Sequence, residues 1–172
     1  VIAVAHGMAF LFLVAATANI SGGHINPAIT IAAWVGGHIG AAKAGVYIVA
    51  QLLGAVGGAF LLGIIVPANL EGTLGAHAIG PLAKGASGAL IAETVLTFAL
   101  VFVVFATAFD RRGLSSYAPA AIGLVVLVDH LVGVPMTGAS MNPARSFGPA
   151  LVAMEWADHW VFWIGPILGG LA

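Results

Sequence analysis

The sequence predicts an all-helical membrane protein built as an inverted repeat. Three observations predict it: long apolar stretches almost free of charge, too few charged residues for a water-facing surface, and two Asn-Pro-Ala signatures in related segments. Of the 172 residues, 61% are apolar and 6% are charged, where a soluble domain carries about a quarter charged. With a mean hydropathy of +1.11, the bilayer rather than water is the expected solvent. A formal net charge of -1 leaves no basic stripe for nucleic acid. The lack of cysteine excludes disulfides, thiol nucleophiles and thiolate metal sites.

Taken in order, residues 1–18 hold no Asp, Glu, Lys or Arg and only His6 as an ionisable group, close to the ~20 apolar residues of a spanning helix. Residues 44–66 form a second span, with Gln51 its polar side chain, and 88–109 a third, interrupted by Glu93. Residues 117–134 form a fourth, with Asp129 and His130 near its end. Residues 159–172 begin a fifth that is too short to cross a ~30 Å core at about 1.5 Å per residue. Residues 67–86, with Glu71, His77 and Lys84, read as an exposed loop, and 110–113 as a charged turn. Lys43, Arg111 and Arg112 fall on one side and Lys84 on the other, which makes the first side cytoplasmic.

Two connections do not read as ordinary loops. Ser21-Gly22-Gly23-His24-Ile25-Asn26-Pro27-Ala28 and Thr137-Gly138-Ala139-Ser140-Met141-Asn142-Pro143-Ala144 each lead into a short apolar run. Asn is a strong N-cap and Pro suits the first helical position, so each pair starts a helix. A run of about eight residues rises only ~12 Å, enough to reach the midplane but not to span. Irregular backbone at that depth must line a cavity or be buried in protein.

Asn26 and Asn142 are 116 positions apart, and the same offset carries Gly22 onto Gly138, Pro27 onto Pro143, Ala28 onto Ala144 and Tyr47 onto Trp163. Segments 1–56 and 117–172 are therefore two copies of one unit within a single domain, 1–172. An odd number of spans separates them, so the copies are inverted and Asn26 and Asn142 meet near the midplane. The span 88–109 has no counterpart ahead of the first copy, which predicts a missing leading span, an incomplete last one, and six spans in the intact molecule.

The two signatures, with Arg145 following the second, resemble those of the aquaporins, the major intrinsic proteins, over essentially the whole chain. His159-Trp160-Val161-Phe162-Trp163-Ile164-Gly165-Pro166 resembles the last span of plant members. His6 is similar to the vacuolar (tonoplast) branch and His130 to the plasma-membrane branch, a mixture like that of the hybrid intrinsic proteins. The resemblance implies a right-handed bundle of six spans with two re-entrant half-helices, a homotetramer with one pore per subunit, and residence in the vacuolar or plasma membrane. It implies no cofactor, no metal and no enzymatic activity.

Within that resemblance the pore motifs are Asn26, Pro27, Ala28, Asn142, Pro143 and Ala144, and the carbonyls of residues 22–24 and 138–140 are acceptors along the wall. The filter positions of the family fall on His6, His130, Ala139 and Arg145. The expected solute is water. Because an aromatic is missing at His6 and Ala139 is small, ammonia and hydrogen peroxide are further expected solutes. The set departs from the water-specific pattern, which has Phe at His6 and Thr or Cys at Ala139, and from the Trp, Gly and Phe of glycerol channels. His77 is a candidate filter support that folds back onto Arg145, Glu93 a buried structural acid, and His24 part of the loop scaffold. Asp129 cannot line the lumen beside His130, because neighbouring helical residues point about 100° apart.

Each feature has a plainer reading. One Asn-Pro pair is an ordinary helix cap, and His6 alone could be a packing histidine; the paired signatures and the convergence with Arg145 favour the pore. A secondary transporter with broken helices is the alternative function. An intramembrane hydrolase using Ser140 and His130 is disfavoured, since Asp129 cannot orient the adjacent imidazole.

Overall fold

The computed structural model describes residues 1–67, 69 and 72–172. Glu71, read above as part of an exposed loop, lies outside them. Helix α1 (Ile2–Ser21) is followed by the short α2 (Pro27–Val35) and the long α3 (Ala41–Ile65). Helix α4 (Gly85–Val104) runs into a π-helical turn, Phe105–Phe109. A 3-10 turn, Ser115–Tyr117, enters α5 (Ala118–Thr137), then come the short α6 (Pro143–Ala153) and α7 (Val161–Leu171). Four of these segments, Ile2–Ser21, Ala41–Ile65, Gly85–Phe109 and Ser115–Thr137, are long and apolar enough to cross a membrane.

The local chemistry of the half-helices is as expected. Asn26 and Asn142 are extended N-caps at φ -148° and -151°, each accepting from a first-turn N–H, and Pro27 and Pro143 occupy the first helical position. With 9 and 11 residues, α2 and α6 reach about 14 and 17 Å, half a bilayer core.

Two helix ends lie further along the chain than hydropathy suggests. Helices α1 and α5 continue to Ser21 and Thr137, past the expected 18 and 134. Apolar counting stops at the first polar residues, whereas backbone hydrogen bonding continues until a residue can leave the helix. Gly22 and Gly138 do so at φ 91° and 81°, in the left-handed region where glycine carries no Cβ penalty. Pro135 sits inside the last turns of α5 without ending it.

Large hydrophobic side chains such as Phe60, Ile64, Phe102 and Leu131 are exposed, as expected of a lipid-facing surface. The core lies between the spans, with Val14 from α1, Ile29 from α2, Leu96 and Leu100 from α4, and Ile122 and Val126 from α5. Helix α4 packs on both α5 and α7. The related groove between α1 and α3 is open, a cavity of about 920 Å³ that Gln51, Gly54, Gly58 and Arg145 help to line.

Contacts across the repeat are reciprocal. A Cβ on Gly7 would meet the Gly123 carbonyl oxygen at 2.7 Å, and a Cβ on Gly123 would meet the Gly7 oxygen at 2.6 Å. These glycines are 116 positions apart and let the α1 and α5 backbones touch, which is how small residues stabilise helix pairs in lipid. Gly165 and Gly169 likewise abut Glu93 and Thr94 on α4, whereas Gly54 and Gly58 meet nothing within 4 Å among the described residues. Replacing Gly123 with leucine must force α1 and α5 apart and is expected to cost about 1–3 kcal/mol or more. Thermal unfolding in detergent checks this, and an unchanged midpoint would contradict the close packing.

Candidate functional site: two half-helix caps and a polar constriction

The two half-helix starts are tied to one another by a reciprocal pair of hydrogen bonds. Asn26 Nδ2 donates to the Met141 carbonyl at 2.7 Å, and Asn142 Nδ2 donates to the Ile25 carbonyl at 3.0 Å. Each Oδ1 meanwhile caps its own helix, Asn26 accepting from Ala28 N at 2.9 Å and Asn142 from Ala144 N at 3.1 Å and Arg145 N at 3.2 Å. One amide N–H of each asparagine is thereby occupied and one remains. The accepting carbonyls belong to Ile25 and Met141, themselves 116 apart and held at φ 55° and 51°. A β-branched residue at positive φ is uncommon, and such conformations cost about 1–3 kcal/mol each. The exchanged asparagine bonds help offset that strain.

Buried side chains brace both approaches from behind. Glu93, fully buried on α4, accepts from Ser140 N at 2.9 Å and Met141 N at 2.8 Å, one bond to each carboxylate oxygen. It thus holds the loop before α6 rather than α6 itself. In the first approach, His24 Nδ1 lies 3.1 Å from Thr30 Oγ1, which donates to Asn26 O at 3.0 Å and accepts from Gln51 Nε2 at 2.9 Å. The residues 116 further on, Ser140 and Ser146, are also paired through their hydroxyls.

Arg145, in the first turn of α6, reaches back to the loop before α4 and across to α1. Its Nη1 donates to the Gly75 carbonyl at 2.6 Å and lies 3.3 Å from His77 Nδ1, while Nη2 lies 3.4 Å from His6 Nε2. Among the described residues no carboxylate pairs with it. His77 is buried at 8% exposure. Burial first, and then the Arg145 charge, hold its imidazole well below the ordinary histidine value of 6.5, so at neutral pH it is uncharged and can accept.

His6 and His130 stack with ring centroids 4.4 Å apart and planes inclined by 22°. His6 Nδ1 lies 3.1 Å from the Ile2 carbonyl and His130 Nδ1 2.8 Å from that of Val126. Carbonyls only accept, so both Nδ1 atoms carry the proton and each neutral ring presents an Nε2 lone pair. Among the described residues, His130 Nε2 and Arg145 Nε are buried without a partner. His6, His130, Asn26, Asn142 and Arg145 help to line a void of about 10 Å³, close to the smallest space that holds a water. An unpartnered acceptor and donor at such a void suit a small solute carrying both functions.

The expected residues do not all converge. His6, His130 and Arg145 come together and His77 joins them through Arg145. Ala139 is fully buried in the apolar core at φ 56°, its methyl close to Gly133 of α5, and does not line the void. Asp129 is buried, and its Oδ2 has no partner among the described residues. It sits one turn before Gly133, whose face packs on Leu96 of α4, so it lies between spans. Ser146 and Thr30 escape the sequence reading, which has Gln51 only as the polar side chain of its span. The repeat offset that superposes Ser146 on Thr30 and Ser140 on His24 was the signal that could have found them.

On the other side of the asparagines, a vestibule of about 550 Å³ opens among Gly22, Gly23, His24, Phe109, Ser115 and Ser116. In the turn between Phe109 and Ser115, Arg112 and Asp110 pair at 2.8 Å.

A family model described as Major intrinsic protein matches residues 1–172. The chain is 48% identical over 173 residues to "Probable aquaporin TIP3-2" of Arabidopsis thaliana, covering 98% of this chain and 62% of that protein. It is 46% identical to "Aquaporin TIP4-4" of Zea mays, covering 98% and 66%, and 47% identical to "Aquaporin-2" of Homo sapiens, covering 99% and 63%. The chain thus spans about 62–66% of the length of these relatives. Among solved structures, the fold is similar to that of the aquaglyceroporin from Plasmodium falciparum, with a TM-score of 0.87 at 23% identity, over 98% of this chain and 77% of that one. With the whole chain matched and its paired half-helices joined asparagine to carbonyl, the protein belongs to the major intrinsic protein family, the aquaporins.

Proposed function

We propose that the protein is a passive channel for water that excludes ions and protons, with no cofactor and no catalysed reaction. The observation that carries this reading is the meeting of two half-helix N-termini at Asn26 and Asn142 beside Arg145 and the small void. Each N-terminus contributes roughly half a positive charge, and the guanidinium adds a whole one, so a cation meets repulsion at two successive points while a neutral solute does not. A water molecule can accept from the free asparagine N–H groups and from Arg145, and donate to His130 Nε2. Its lost bulk hydrogen bonds are replaced in single file.

The filter of this channel is formed by His6, His130 and Arg145, with Ala139 setting the backbone of the approach and His77 supporting Arg145. The two imidazole acceptors also suit ammonia, whose N–H groups can donate to them, and hydrogen peroxide, which both donates and accepts. The family match supports a homotetramer with one pore per subunit. The mixed His6 and His130 pattern supports a plant channel of the vacuolar or plasma membrane.

Osmotic swelling of proteoliposomes containing the full chain, followed by stopped-flow light scattering, tests the proposal. Water permeability above that of empty vesicles, with a low activation energy and no saturation, is expected. Steep temperature dependence or saturating solute flux would instead favour a transporter.

A further inference from the structure

The buried polar groups inside the two half-helices differ at one point. In the first copy, Thr30 accepts from Gln51 Nε2 on α3. The residue 116 positions after Gln51 is Ile167 on α7, which has nothing to offer Ser146. The missing partner is supplied from elsewhere in the chain: His77 Nδ1 lies 2.8 Å from Ser146 Oγ.

The direction of each bond follows from what each group can do. Arg145 Nη1 lies 3.3 Å from the same His77 Nδ1, and a guanidinium only donates. That nitrogen therefore carries the lone pair, and the Ser146 hydroxyl donates to it as well. The Ser140 hydroxyl has one hydrogen and two acceptors in reach, Asn142 O at 3.2 Å and the closer Ser146 Oγ; given to the closer one, it leaves Ser146 Oγ accepting, and Ser140 Oγ accepts from Asn142 N at 3.3 Å. A chain of hydrogen bonds thus runs from the cap of α6 to His77, in a fully buried position for Ser146. Gly75 and His77, two residues apart, are the loop groups that hold Arg145 Nη1. The bond to Ser146 is shorter than the one His77 makes with Arg145, and it ties that loop to the rigid start of α6.

We propose that Ser146 is a positioning residue: its hydroxyl keeps His77 in the tautomer that accepts from Arg145, and so holds the guanidinium at the constriction. This rests on the reading of Arg145 as the filter residue. Losing the hydroxyl lets His77 turn its Nδ1 away or carry a proton there, and Arg145 then keeps the Gly75 carbonyl alone on that side.

Ser146→Thr and Ser146→Val test the proposal as a matched pair, because they add the same bulk and differ in the hydroxyl. The ratio of urea to water permeability in proteoliposomes is expected to be about five-fold higher for Ser146→Val than for Ser146→Thr, the effect of one net hydrogen bond. In a His77→Ala background the two are expected to be equal. Equal ratios with His77 present, or a difference that persists without it, would overturn the proposal. Nitrogen NMR of His77 decides the same point: an unprotonated Nδ1 is expected in the unsubstituted chain and in Ser146→Thr and an altered Nδ1 signal in Ser146→Val, and a protonated Nδ1 in the unsubstituted chain, or one signal common to all three, refutes it. A chain that passes no water sinks the channel reading, while the His77 tautomer still reports on Ser146.

Discussion

Glu93→Ala is expected to unfold the second approach and with it much of the protein. The carboxylate accepts the N–H groups of Ser140 and Met141, at 2.9 and 2.8 Å, and both belong to a buried, non-helical segment with no other route to water. Hydrogen bonds to a charged acceptor contribute about 1.5–3 kcal/mol each, and alanine also leaves a cavity where the side chain stood. A loss of about 3–6 kcal/mol from these bonds is a large share of the 5–15 kcal/mol that keeps a typical domain folded. The effect extends beyond the bonds themselves: Met141 holds its carbonyl for Asn26 at a positive φ of 51°, and an unbraced loop can relax that strain by withdrawing it. Glu93→Gln should be milder but still damaging, because one of the two N–H groups would face an amide NH2 instead of an oxygen. Thermal unfolding in detergent and yield of monodisperse protein check this. If Glu93→Ala unfolds at the temperature of the unsubstituted chain, the bracing role is wrong.

Arg145→Val is expected to fold and to lose selectivity. The guanidinium makes no ion pair among the described residues, and its bonds run to the Gly75 carbonyl and to His77 and His6, so its removal orphans no buried carboxylate. What disappears is the charge at the constriction and the bulk that narrows it. A unit charge about 4 Å from a passing cation raises its energy by about 4 kcal/mol at an effective dielectric of 20. Part of that is recovered by water entering the wider passage, so a 10- to 100-fold gain in cation conductance, roughly 1.4–2.8 kcal/mol, is the expected size. Urea passage should rise alongside it. Conductance of planar bilayers and stopped-flow flux measure the two, and an Arg145→Val channel as tight as the original would remove Arg145 from the filter.

The two predictions differ in what the sequence could say about them. That residue 93 is a lone acid inside an apolar stretch, and that Arg145 follows an Asn-Pro-Ala signature, is visible in the linear order of residues. Glu93 was legible as a structural acid because a charge in a span requires a partner. Which N–H groups it accepts was not legible, since Ser140 and Met141 lie 47 and 48 positions away. The spans were legible for the same reason that the bilayer excludes charge, although their ends at Ser21 and Thr137 were set by backbone bonding and left-handed glycine rather than by hydropathy. Ala139 is legible by its place in the motif; that its methyl packs beside Gly133 of α5 is not.

The sequence by itself determined the fold class, the half-helix starts and the inverted repeat, because apolarity, capping and self-similarity are properties of neighbouring residues or of a fixed offset. Only the tertiary structure decided how the constriction is furnished. His6, His77 and Arg145 are brought together from positions 139 and 68 residues apart, and only their mutual distances decide which nitrogen donates and which accepts. The second Asn-Pro-Ala signature locates Arg145 in a chain with few charges; the loop folded over it from Gly75 to His77 decides what holds it there.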